Sequence, residues 1–183
     1  MDVPNRIIEL NPVSRITADA VGVPGQRTFY LQARKGNTVL NILCEKEQIN
    51  VLSKALDEFL RELKTRYPKG SSFSQLPIGL PLETPIDPDF RAGKMGLGYD
   101  EDKNLVILVV YEIGVEDEDE GNLRVARLFC SRAQMDALSR QSVEIVSRGR
   151  PICPLCGKPM DSNGNIDGFC PRRNGHGDEI VFA

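Results

Sequence analysis

The sequence has one histidine and no tryptophan among 183 residues. Most nucleophilic side chains are activated by a neighbouring imidazole, so a chain whose one histidine is His176 offers little for Ser-His-Asp or Cys-His chemistry. A mechanism that uses carboxylates alone stays open, but no acidic pair stands out by its spacing. The composition therefore favours a protein that is not an enzyme.

Long apolar runs and an excess of positive charge are also missing. No stretch approaches the ~20 apolar residues that cross a bilayer, and residues 1–6 lack the apolar segment of a secretory signal. The formal net charge is −3, which argues against a protein that is basic overall and coats nucleic acid. We expect a soluble, cytoplasmic protein that makes no membrane contact.

Hydrophobic periodicity predicts an α+β body over residues 1–150, followed by a small tail at 151–183. The segment Arg15–Val21 shows no clear period. Five prolines fall between residues 68 and 89, which predicts an irregular connector that lies on the surface of the body. The predicted strands and helices, in chain order, are strands 26–34 and 38–44, helix 46–67, strands 104–112 and 123–130, and helix 132–147 with Ser131 as its N-cap.

Two parts of the body resemble each other. Residues 41–53 align without gaps on residues 127–139, and the alignment places Cys44 on Cys130, 86 residues apart. Upstream, Gly22-x-x-Gly25 has a counterpart in Gly93-x-x-Gly96. We therefore predict duplicated ββα units, repeat one over about 15–67 and repeat two over about 90–149, that form one antiparallel or mixed sheet with both helices on one face.

The tail carries a metal-ligand pattern, C-x2-C-x13-C-x5-H. Its members are Cys153, Cys156, Cys170 and His176. Three thiolates and one imidazole close a tetrahedron around Zn²⁺ and leave no position for a reactive water. We expect one structural zinc ion in a zinc-ribbon-like knuckle, since the tail has too few apolar residues to fold without a cross-link.

The fourth zinc ligand has alternatives, because Asp161 and Asp167 also lie in the tail. A free redox pair at the first two tail cysteines is the competing interpretation, but such a pair needs a thioredoxin-like context that the sequence lacks. The remaining cysteines, Cys44 and Cys130, are expected to be small buried apolar side chains.

The two GxxG segments are similar to loops that cradle phosphate groups. Neither has the Lys-Ser/Thr of a P-loop. If the two loops lie near each other, Arg27, Arg91 and Lys94 are candidates for binding an anionic ligand in a shared groove.

Three functions from different classes follow from these features. The first is a protein-interaction module for an unknown protein partner. The alternative is a nucleic-acid-binding protein that uses arginines of the tail, such as Arg172 and Arg173; this is less favoured because few aromatic residues are available for base stacking. The second alternative is a binder or enzyme for an anionic metabolite at the glycine loops.

Four separate segments resemble the bacterial Domain of Unknown Function 3090 family: residues 22–32, 44–48, 90–98 and 149–157 with 170–175. The resemblance covers nearly the whole chain and implies no established activity. It implies a further ligand position two residues before the third tail cysteine, where the family usually has histidine. This sequence has Gly168 there, which favours His176 as the fourth ligand.

The first prediction concerns the zinc site. We expect one zinc ion per chain by elemental analysis, and Cys156→Ser should abolish binding because thiolates supply most of the affinity for this ion. His176→Ala should weaken binding less. Protein purified under reducing conditions without chelator and found free of zinc would contradict the assignment.

Overall fold

A computed structural model describes residues 6–23, 25–114, 123–148 and Leu155. These residues form an α+β fold with one mixed seven-stranded sheet and two helices. The predicted zinc ligands, residues 153, 156, 170 and 176, lie outside the described residues. The elements are β1 (Ile7–Leu10), β2 (Arg15–Val21), β3 (Thr28–Lys35), β4 (Thr38–Cys44), α1 (Lys46–Arg66), β5 (Phe90–Asp100), β6 (Leu105–Glu112), β7 (Val125–Cys130) and α2 (Arg132–Ser147).

The strands are ordered β1-β7-β6-β5-β4-β3-β2 across the sheet. Pairs β1–β7 and β4–β5 are parallel, and the other neighbours are antiparallel. The β4–β5 pairing is short, with Ile42 opposite Phe90 and Leu43 opposite Arg91. Beyond Arg91, β5 continues along β6 and diverges from β4.

A bend between β1 and β2 brings the two ends of the strand order together. The backbone N–H of Val13 donates to the carbonyl of Phe129 in β7 at 2.8 Å, and that of Ser14 donates to the carbonyl of Arg34 in β3 at 2.8 Å. The chain therefore passes from one edge of the sheet to the other within two residues. Because these edges meet here, the sheet is strongly curled.

Sheet and helices share one apolar core. Leu31, Ile42 and Leu108 of the strands and Leu56 and Met135 of the helices are fully buried in the same cluster. Burying one such side chain contributes about 1.5–3 kcal/mol, so this cluster is the main source of stability. Within the described residues, no helix is both long enough and apolar enough to cross a bilayer.

Each helix begins directly after a strand that ends in cysteine. The N-cap of α1 is Glu45 and that of α2 is Ser131, and each has a glutamine three residues later. The Oε1 atoms of Gln48 and Gln134 accept hydrogen bonds from the backbone N–H of their own N-caps, both at 2.8 Å. This arrangement satisfies a backbone donor that the helix itself leaves unpaired.

The same two glutamines fix each helix to the sheet. Gln48 Nε2 donates to the carbonyl of Ala92 at 3.0 Å, and Gln134 Nε2 donates to the carbonyl of Val13 at 3.0 Å. One amide therefore joins the N-terminus of α1 to β5, and the other joins the N-terminus of α2 to the β1–β2 bend. Both helices are positioned by the same device.

The strands before each hairpin differ from the sequence expectation. The aperiodic segment Arg15–Val21 forms β2, and β1 was not predicted. The first GxxG lies in the turn between β2 and β3, where Gly22 and Gly25 have φ of +114° and +89°. The second GxxG lies inside β5, so its interpretation as a loop is wrong, and so is its pairing with the first GxxG.

The glycines of β5 misled the sequence analysis because glycine usually marks a turn. In this strand, Gly93 lies at a register irregularity between Ala92 and Met95. A Cβ added to Gly93 would lie 3.1 Å from the Cα of Ile113. Close backbone approach at a bulge explains this glycine.

Residues 67–89 contain no helix or strand and are held against the body by specific hydrogen bonds. Thr17 Oγ1 donates to the carbonyl of Leu80 at 2.8 Å. The buried amide of Gln32 binds the backbone of Glu83 twice, accepting from its N–H at 2.8 Å and donating to its carbonyl at 2.9 Å. We call this segment the connector.

The second prediction concerns Arg132, which is only 4% exposed. Its guanidinium donates to the carbonyl of Tyr67 at 3.0 Å and to the Tyr99 hydroxyl at 2.7 Å. Arg132→Met should lower the free energy of unfolding by about 1–3 kcal/mol, since it leaves partly buried acceptors without their donor.

The matched control for this prediction is Arg61→Met on α1. This change breaks an exposed ion pair between Arg61 and Asp57, which lie on the same helix. Exposed pairs of this spacing contribute about 0.3–0.5 kcal/mol. Urea unfolding of both variants provides the comparison. Equal losses of stability would contradict the role assigned to Arg132.

Candidate functional site

An open groove of about 540 Å³ lies between α1 and β5. It exists because β5 leaves β4 after Arg91, so that part of β5 borders α1 across a gap; the β5 residues that line it are Gly93, Met95, Gly96 and Leu97. Gly93 and Gly96 line the gap and contribute no side chains to fill it. We call this cavity the α1–β5 groove.

The floor of the α1–β5 groove is apolar. Leu52 and Leu108 are buried at its base, and Phe59, Met95 and Leu97 are partly exposed above them. Each of these residues also contacts or belongs to the main core. The floor is thus held rigidly by the same packing that stabilises the fold.

The rim of the groove is acidic and partly apolar. Glu47, Glu58 and Glu62 of α1 are exposed along it, and Val51 is 55% exposed between them. None of the described residues that line the groove is basic. Glu62 pairs with Arg66 of the same helix at 3.3 Å, and both side chains are mostly solvent-exposed.

The groove is suited to binding. Its described lining contains carboxylates and one amide but no cysteine, histidine, serine or lysine. The amide belongs to Gln48, which is already engaged with the backbone of Glu45 and Ala92. An apolar floor with a few polar groups at its margin is typical of ligand pockets.

The predicted anion-binding residues lie elsewhere, and each has a local contact. Arg27 donates to the carbonyl of Ile145 at 3.0 Å and lies 4.9 Å from the Phe29 ring centroid. In β5, Arg91 forms an ion pair with exposed Glu45.

Lys94 completes this set, and its Nζ lies 4.8 Å from the ring centroid of Tyr111. None of the three cations lines the α1–β5 groove in the described part of the chain. A shared anion site stays a prediction.

The two cysteines of the body are buried, as expected. Cys44 is 4% exposed and Cys130 is fully buried. Burial raises the pKa of the Cys44 thiol to about 12 and raises that of Cys130 above its ordinary value as well. Since the thiolate is the reactive form, neither side chain is available as a nucleophile.

The sequence did not predict the groove, because the hydrophobic pattern assigns its floor residues to the buried core. Leu52 and Phe59 belong to the apolar stripe of α1, which the periodicity assigns entirely to the interior. The only signal was Val51, an apolar residue beside that stripe. In the described part of the chain, no group of three or more metal-binding side chains is found.

The third prediction concerns the body thiols. In a variant with serine at the three tail cysteines, Cys44 and Cys130 should not react with Ellman's reagent at pH 8 in the folded protein. With a pKa near 12 for Cys44, only about one thiol in ten thousand is ionised at that pH. Both should react after unfolding in urea, and rapid reaction of the folded protein would contradict their burial.

Comparison with known proteins adds a family but no activity. No curated protein and no solved structure matches the chain. The family described as "Protein of unknown function (DUF3090)" matches residues 8–167, which is most of the sequence. This agrees with the resemblance seen in its motifs, and the chain therefore belongs to the DUF3090 family.

Proposed function

We propose that this protein is a non-enzymatic protein-interaction module whose binding surface is the α1–β5 groove. One observation carries the proposal: an open, largely apolar cavity of about 540 Å³ whose described lining has no cysteine, histidine, serine or lysine. Leaving apolar floor residues in water is unfavourable. A partner that covers them gains the free energy of their burial.

The charge of the groove supports a protein partner over the alternatives. Glu47, Glu58 and Glu62 repel the phosphates of nucleic acids and anionic metabolites at this surface. The arginines invoked for nucleic-acid binding, at positions 172 and 173, lie outside the described residues. No described contact favours either alternative.

We also propose that the two halves of the body arose by duplication. Gln48 and Gln134, which the alignment pairs, each accept from their N-cap N–H at 2.8 Å and donate to a backbone carbonyl outside the helix at 3.0 Å. Gln48 also donates to the carbonyl of Gly93 at 2.9 Å. The Ser139 hydroxyl donates to the carbonyl of Ser53 at 2.9 Å, so two aligned positions meet where the helices cross. These contacts support a pseudo-twofold relation between the halves.

The zinc-binding tail is part of the same proposal. Its support is the ligand spacing of Cys153, Cys156, Cys170 and His176. A zinc-linked knuckle is rigid, and it would present a second recognition surface beside the body. Its role would be structural.

The fourth prediction tests the groove with two helix valines. Val51 is 55% exposed in the groove, and Val143 on α2 is 58% exposed outside it. Tagged protein should capture a specific partner from native lysate, and Val51→Lys should reduce its recovery at least about tenfold. Val143→Lys should leave recovery unchanged, because Val143 lies outside the groove. The variant should also stay folded, since exposed substitutions of this kind change stability by only about 0.5 kcal/mol.

Mass spectrometry of the captured proteins provides the readout, and thermal unfolding confirms that both variants fold. Capture that is equal for Val51→Lys and Val143→Lys would exclude the groove as the binding surface. Capture of nucleic acid in place of protein would support the alternative function.

A further inference from the structure

We propose that the α1–β5 groove binds a non-helical, proline-containing apolar segment of a partner protein, with lysine or arginine flanking its apolar residues. This inference rests on the proposed function and specifies the ligand. Its basis is a second cleft, between α2 and β2, which the protein fills with its own connector.

The α2–β2 cleft shows what such a ligand looks like. Its free volume is only about 10 Å³, because Pro77, Ile78, Gly79 and Leu80 occupy it. The N–H of Gly79 donates to Gln141 Oε1 at 2.6 Å, beside the hydrogen bond from Thr17 to Leu80. An apolar segment that contains proline and forms neither helix nor strand, with Gly79 at φ +86°, thus fits between a helix and a strand edge.

The helix positions that line the two cavities correspond. Ala137, Leu138 and Gln141 line the α2–β2 cleft. Their aligned counterparts, 86 residues earlier, are Val51, Leu52 and Ala55. All three counterparts line the α1–β5 groove.

The strand positions correspond as well. Across the sheet, Thr17 lies opposite Gln32, which lies opposite Asn41. Gly96 lies opposite Val109, which lies opposite Arg127. Because Asn41 aligns with Arg127, Thr17 corresponds to Gly96, an offset of 79 residues between the strands. With this offset, Ile16 and Thr17 of the filled cleft correspond to Met95 and Gly96 of the groove.

The cavities differ at the two side chains that bind the connector. Thr17 corresponds to Gly96, and Gln141 corresponds to Ala55. Compared with the α2–β2 cleft, the groove therefore lacks two polar side chains and has a larger free volume. Its ligand must be recognised by apolar contact with the floor and by interactions with the rim.

The rims differ in charge, and this difference specifies the flanking residues of the ligand. Glu47, Glu58 and Glu62 correspond to Ala133, Glu144 and Arg148 on α2. On α2 the one carboxylate of this set is paired with the arginine. On α1 all three positions are acidic. Of these three glutamates, Glu62 forms an ion pair with Arg66. Basic residues beside the apolar core of the ligand complement this rim.

The probe for the test is a fluorescent peptide that copies connector residues 75–82, QLPIGLPL, with one lysine added at each end. Anisotropy titrations of the full chain should show saturable binding that weakens as salt rises, because the rim charges are exposed. A peptide with glutamate in place of both lysines should bind at least about fivefold more weakly.

Variants then locate the peptide on the surface. Val51→Lys should weaken binding about tenfold or more, and the double change Glu47→Gln, Glu58→Gln should remove most of the salt dependence. Val143→Lys and Asp57→Asn are the matched controls, since Asp57 is an exposed α1 carboxylate outside the groove lining. Both controls should bind as the unchanged protein does.

Several outcomes would overturn the inference. Absence of saturable binding, or binding that Val51→Lys leaves unchanged, removes the peptide from the groove. Light scattering that shows a dimer dissociated by Val51→Lys identifies a second copy as the occupant. If a photo-cross-linking residue at position 51 forms a cross-link to the tail of the same chain, the tail is the occupant of the groove. If lysate capture depends on Val51 while this peptide fails to bind, the ligand class is wrong and the proposed function stands.

Discussion

The short pairing between β4 and β5 is the constraint on which the candidate site depends. Two residue pairs hold these strands together, and beyond them β5 follows β6 alone among its described neighbours. If β5 stayed on β4 along its whole length, α1 would cover a continuous sheet and no groove would form. The bulge at Gly93 occurs where the strands separate. A local irregularity of one strand therefore creates the apolar opening beside α1.

The helices keep that opening in place because each is fixed at its N-terminus and along its buried face. Gln48 connects the start of α1 to Ala92, directly before the bulge, so the helix and the irregular strand share an anchor. Leu52 and Leu56 then bind the helix to the core. The groove is bounded by rigid elements, which reduces the conformational entropy lost when a ligand binds.

The two halves use the same anchors but differ in what covers the helix–strand cleft. Beside α2, the connector fills the cleft and its backbone is bound by Thr17 and Gln141. Beside α1, the described chain leaves the corresponding space open. Similar anchoring with unequal coverage of the two clefts is the structural basis of the interaction surface proposed for one half.

Local sequence determined the elements whose signals lie within a few residues of each other. The strand Thr38–Cys44, the start of α1 at Lys46 and the N-cap Ser131 follow from alternation, periodicity and capping. β1 was decided by tertiary structure, because it pairs with β7, which places Ile7 opposite Val125, far along the chain. β2 and the extent of β5 were also decided by strand pairing, because β2 has no clear period of its own and the glycines of β5 are typical of turns. The groove belongs to this second group. Leu52 and Phe59 are apolar in any local pattern, and only the divergence of β5 from β4 decides that they face a cavity instead of another strand.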